Sequence, residues 1–104
     1  MLKVSVLYPF VQGGRFDMQF FLRQHMPLVD KAWGGALIRR EIDAGLSGPG
    51  PGTQPTYVAV AHLYFHSIES FQAAIGPQHK ELENEAPSFT DIKPIIQVSE
   101  VVLV

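Results

Sequence analysis

The 104-residue chain has no cysteine, which excludes disulfide staples and thiolate chemistry and suits a reducing compartment. Charge is scarce too: Asp, Glu, Lys and Arg make up 17% of the chain and the net charge is −2. Without a basic excess there is no electrostatic footprint for nucleic acid. No apolar run approaches the roughly 18 to 20 residues that span a bilayer. The opening MLKVSVLYPF lacks the charged start and small-residue cleavage site of a secretory signal. A cytoplasmic location, with no membrane and no nucleic-acid partner, is therefore the expectation. A phosphate cradle is missing as well, because GPGPG (residues 48–52) puts prolines where free N–H groups are needed.

Apolar residues, by contrast, are plentiful at 46%. A chain of this length is expected to form one domain, residues 1–104, of about two packed layers. Leu2, Val4, Val6 and Tyr8 alternate with Lys3, Ser5 and Leu7, the pattern of a strand. Pro9 and Gly13-Gly14 punctuate, and Asp17 can cap a helix running to about residue 30. Ala36–Asp43 reads as a second strand, and AGLSGPGPGTQP (44–55) as a long, mobile loop. TYVAVAHLYFH (56–66) is the strongest strand. Ser67 can cap a second helix burying Ile68, Phe71 and Ile75, which Gly76-Pro77 interrupts. QHKELENEA (78–86) could resume as an exposed helical turn or two, PSFTDIKP (87–94) as a connection, and IIQVSEVVLV (95–104) as a final strand.

The order is βαββαβ. It predicts an α+β, ferredoxin-like plan: a four-stranded antiparallel sheet with two helices on one face. In the third strand Ala59, Ala61, Leu63 and Phe65 point one way, and Val58, Val60, His62 and Tyr64 the other. Helices can hide one face only. A homodimer through the second face is the expected partner arrangement.

Met18, Phe21, Leu22, His25, Leu28 and Val29 fall on one helical stripe, so an ionisable ring occupies a core-facing position. A structural histidine bonded to a backbone carbonyl is the bland reading. Pro27 favours another: it removes an N–H and disfavours helical geometry at Met26, which should loosen the helix beside His25. Trp33, at the helix end, could wall a pocket there or simply pack. The other histidines carry less. His62 shares a face with Tyr64, His66 should sit near a helix start, and His79 reads as solvated. No histidine pair has metal-ligand spacing with a carboxylate partner, so no metal or other cofactor is expected.

The strand ending near YP, the F-x-x-x-F…H-M-P-L-V helix, the WGG that follows, and AHLYFHSIESFQAAI together resemble the ethyl tert-butyl ether degradation (EthD) family of dimeric α+β barrel proteins. The likeness spans roughly residues 2–103, and H-x-P-L-V (His25, Pro27, Leu28, Val29) is its most specific element. WGG, where many members carry Pro-Gly, and the GLSGPGPGTQ insertion depart from the pattern. The resemblance implies a ferredoxin-like protomer whose sheet faces a partner's, with a cleft between sheet and helices. It does not select an activity, since one fold hosts many.

Two functions from different classes follow. In the first, neutral His25 acts as a base on an aromatic, ketone or lactone substrate, in a cofactor-free isomerase or monooxygenase-like reaction. Tyr8 and Trp33 would position the substrate, with Phe21 and Phe65 as walls. In the second, the protein holds a hydrophobic small molecule without chemistry, or is only a structural dimer.

Overall fold

Strict alternation in β3 (Tyr57–Phe65) sets the layers: Ala59, Ala61, Leu63 and Phe65 are buried, while the residues between them are half-buried. The computed structural model describes residues 1–76 and 78–104. β1 (Leu2–Pro9) pairs antiparallel with β3, Val4 opposite Leu63 and Val6 opposite Ala61. β2 (Arg39–Ala44) pairs with the other edge of β3, and β4 (Ile95–Glu100) with the other edge of β1. The four-stranded sheet has the order β2-β3-β1-β4, the ferredoxin-like arrangement.

The helices are α1 (Met18–Phe20), α2 (Met26–Trp33), α3 (Ile68–Ile75) and α4 (Gln78–Glu85). Asp17 caps the first by accepting from the Phe20 N–H, and Ser67 caps α3 by accepting from the Ser70 N–H. Between α1 and α2 the backbone widens into a π-helical turn, Phe21–His25, in which the Met26 N–H reaches the Phe21 carbonyl. Pro27 has no N–H to continue the normal ladder, so the turn before it takes one extra residue. That insertion rotates the buried stripe. Phe21, His25, Met26 and Val29 face inward, whereas Leu22, expected inside, is 46% exposed.

Other boundaries move for identifiable reasons. β2 begins at Arg39 rather than Ala36, because the Ala36 and Leu37 N–H groups close a turn onto the Trp33 carbonyl. In α3 Ile68 is exposed, and Phe71, Ala74 and Ile75 are no more than half-buried. The interruption expected at Gly76-Pro77 involves Pro77, which lies outside the described residues. At Gly45 a Cβ would stand 2.0 Å from the Tyr57 carbonyl oxygen, so the exit of β2 requires glycine. The final strand stops at Glu100, and Val102, Leu103 and Val104 are exposed. Among the described residues no helix is long and apolar enough to cross a membrane.

The second sheet face is more polar than expected. Its rows run Ile95–Leu7–Val60–Asp43, Gln97–Ser5–His62–Glu41 and Ser99–Lys3–Tyr64–Arg39. Only the first is largely apolar. In the others His62 Nε2 bonds Asp43 at 3.0 Å, Tyr64 donates to Glu41 at 3.1 Å, and Lys3 and Arg39 lie over the Tyr64 ring. Apolar burial alone does not describe this surface.

Candidate functional site

The widened turn and Phe89 together shape the site. Phe89 follows α4 and a 3₁₀ turn (Ala86–Ser88) and is fully buried. Its ring meets Phe21 at 5.2 Å, Tyr8 at 6.2 Å and Phe16 at 5.5 Å between centroids, edge to face in each case. A cavity of about 410 Å³ opens between this aromatic cluster, the sheet and α4, a size usual for small-molecule pockets. β1 and β3 supply its floor through Val6, Tyr8, Ala61 and Leu63; the long helical run supplies Phe21, His25, Met26, Val29 and Trp33. α4 closes the third side with Leu82, Glu83 and His79, and Lys93, Pro94 and Ile96 lie where β4 begins.

His25 lies in the cavity wall between two rings, Phe21 stacked at 5.3 Å and Phe89 tilted at 4.7 Å. Its Nδ1 is 2.9 Å from Glu85 Oε1, at the end of α4. That carboxylate, not a backbone carbonyl, satisfies the buried ring. An ionised Glu85 can only accept, so Nδ1 carries the proton and Nε2 keeps its lone pair. Nε2 has no hydrogen-bond partner among the described residues and is not sealed from the cavity. Burial lowers the His25 pKa, outweighing the opposing hydrogen bond and charge of Glu85. The imidazole is therefore neutral at neutral pH.

Tyr8 presents a second free polar atom. Its hydroxyl has no partner among the described residues, and burial pushes its pKa up to about 12. It stays a neutral phenol, able to donate.

Four of the five residues expected at a site thus border one cavity: His25, Tyr8, Phe21 and Trp33. Phe65 does not. It is completely buried behind the wall, edge-on to Trp33 at 6.3 Å and to Phe71 at 5.2 Å. It supports the wall instead of forming it. Trp33 Nε1 is the one side-chain nitrogen or oxygen that is itself sealed from solvent and without a partner among the described residues.

Glu85 and Phe89 were not foreseen from the sequence. The signal was present: Leu82, Glu85, Ala86 and Phe89 have i, i+3, i+4, i+7 spacing, and Leu82 and Phe89 are buried. The segment read as exposed is a two-turn helix that covers the cavity. His79, read as simply solvated, pairs with Glu83 at 2.9 Å beside the opening. Among the described residues no three His, Asp or Glu side chains cluster closely enough to hold a metal ion.

Comparison with known proteins identifies the family and the fold. The EthD domain model matches residues 18–93, which include the whole helical run, α4 and Phe89. An EthD-like protein from Ralstonia eutropha JMP134 is 36% identical, superposes with a TM-score of 0.93, and is aligned over 98% of this chain and 92% of its own. An ethyl tert-butyl ether degradation family protein from Bacillus halodurans C-125 is 20% identical, with a TM-score of 0.74 over 98% of this chain and 99% of its own. A dimeric protein of unknown function and ferredoxin-like fold from Bacteroides fragilis NCTC 9343 is 13% identical, with a TM-score of 0.56 over 96% and 95%. No curated protein matches the chain.

Proposed function

The chain belongs to the EthD family, and from that premise we propose that it is a cofactor-free enzyme of small-molecule metabolism in which His25 transfers a proton. The observation that carries this reading is the buried pair at 2.9 Å, with Glu85 on Nδ1 and Nε2 left open toward an apolar cavity. In the proposed step Nε2 takes the proton from the carbon next to a carbonyl. The C–H electron pair moves into the new C=C bond, and the carbonyl pair moves onto oxygen. The Tyr8 hydroxyl donates a hydrogen bond to that oxygen as negative charge grows on it, and the imidazolium formed is stabilised by Glu85. Returning the proton at the same or another carbon gives an exchange or isomerisation. The substrate is an aromatic, ketone or lactone compound, which the ring-lined walls suit.

The unit is proposed to work as a homodimer through the sheet face away from the helices, in a cytoplasmic setting. The dimeric Bacteroides neighbour supports the dimer, as does the Ile95–Leu7–Val60 row on that face.

The experiment is deuterium incorporation next to the carbonyl of 1-tetralone in D₂O, followed by NMR. Wild type should accelerate exchange above buffer, and His25→Asn should remove the acceleration. Saturable binding of 1-tetralone without any accelerated exchange would leave the protein a carrier of such molecules and end the catalytic reading.

A further inference from the structure

The cavity has a graded polarity that bears on its ligand. Its deep end is made of buried Phe21, Tyr8 and Phe89, with one neutral imidazole. Its outer end has charged and exposed side chains: His79 and Glu83 are 44% and 63% exposed, and Lys93 is exposed. His79 Nε2 lies 2.9 Å from Glu83 Oε1, and Glu85 is taken by His25 at 2.9 Å. Lys93 has no ion pair among the described residues. Among the described residues it is the one lysine or arginine lining the cavity, on a chain whose net charge is −2.

We infer that Lys93 is a specificity-determining residue, and that the ligand is an amphipathic acid whose ring system fills the cavity and whose carboxylate meets Lys93 at the opening. The inference rests on the reading of this cavity as the substrate site, but not on any reaction there. Pro94 fixes the backbone next to Lys93 and Ile96 lines the same wall, so the lysine stem starts from a defined position. An ammonium on a four-carbon stem acts as a point charge that can follow an anion at a wet rim. A carboxylate placed deep inside would lose its hydration among aromatic walls and stand near Glu85. At the rim it keeps water on one side and gains a cation.

The test uses 1-naphthylacetate and its neutral isostere 1-naphthylacetamide. Trp33 is the sole tryptophan and lines the cavity, so its one indole N–H resonance reports binding at this site in a ¹H–¹⁵N titration. The acid should bind wild type about fivefold more tightly than the amide at low salt, the upper range for an exposed ion pair. The preference should shrink as salt screens it. Lys93→Met should bind both equally, and Lys93→Arg should retain the preference. Equal affinities in wild type, no saturable indole shift with either compound, or an acid preference that survives Lys93→Met would overturn the assignment. A Lys93-dependent acid preference without 1-tetralone exchange would uphold it while the catalytic reading fails.

Discussion

Two histidine–carboxylate pairs lie on opposite faces of one sheet, and they are nearly equal in length. His25 meets Glu85 at 2.9 Å on the helix side, and His62 meets Asp43 at 3.0 Å on the open side. Their surroundings separate them. The His25 and Glu85 side chains are 10% and 21% exposed, among aromatic rings and beside a cavity; those of His62 and Asp43 are 21% and 60% exposed. The second ring is also tied at both nitrogens, since Ser5 Oγ lies 3.4 Å from His62 Nδ1. Serine, histidine and aspartate in a row invite comparison with a hydrolytic triad. Here, however, the serine sits in a regular strand opposite His62, without the strained turn that exposes a nucleophile. A distance between two side chains is thus a poor guide to function. What counts is whether one nitrogen stays free and what it faces.

Substitutions sharpen that contrast. His25→Asn should lower proton transfer by about 10² to 10⁴, the range of a general base, while His62→Asn should change it by less than about twofold under the same assay. Equal losses in the two variants would erase the distinction between the faces. Phe89→Ala should cost roughly 3 to 5 kcal/mol of stability, because a fully buried ring leaves a void next to an existing cavity. On the open face Val60→Ala should cost clearly less, and urea denaturation of both variants checks the difference.

Removing the carboxylates tests the pairs themselves. Glu85→Gln replaces a charged hydrogen bond with a neutral one, so turnover should fall roughly five- to tenfold while the cavity keeps its ligand. Asp43→Asn should alter stability by no more than about 0.5 kcal/mol, as for other exposed pairs.

The smallest effect is in the pH dependence of stability. The folded pKa of His25 lies below its ordinary value because burial disfavours the charged ring. The stability held by the neutral ring is therefore complete above about pH 6.5 and is lost as pH falls toward the lowered value. His25→Phe should flatten the melting-temperature profile in that acidic window, and His62→Phe should leave the loss in place.

Much of the site was legible because it is encoded locally. Tyr8 takes its inward direction from strand alternation, and Phe21 and His25 take theirs from helical spacing. Pro27 announced the loosened turn, since a missing N–H acts on its own helix wherever that helix packs. The size of the response was not legible. One extra residue in the turn exchanged Leu22 for Met26 on the buried side, a rotation that periodicity at a fixed 3.6 residues cannot represent. Phe65 shows the converse limit: its face was correct, but alternation does not say whether an inward side chain lines a space or fills one.

By itself, then, the sequence determined the element order, the caps at Asp17 and Ser67, the inward faces of β1 and β3, and the break before Pro27. Each depends on forces between residues a few positions apart. Only the tertiary structure decided that Glu85, 60 residues beyond His25, would hold its Nδ1, and that Phe89 would close the aromatic cluster. It also decided that Lys93 would stand unpaired at the opening. Those outcomes depend on how α4 and the start of β4 pack across the sheet. A polar side chain's neighbours there are set by the whole arrangement of layers, and local periodicity carries no information about a partner on another element.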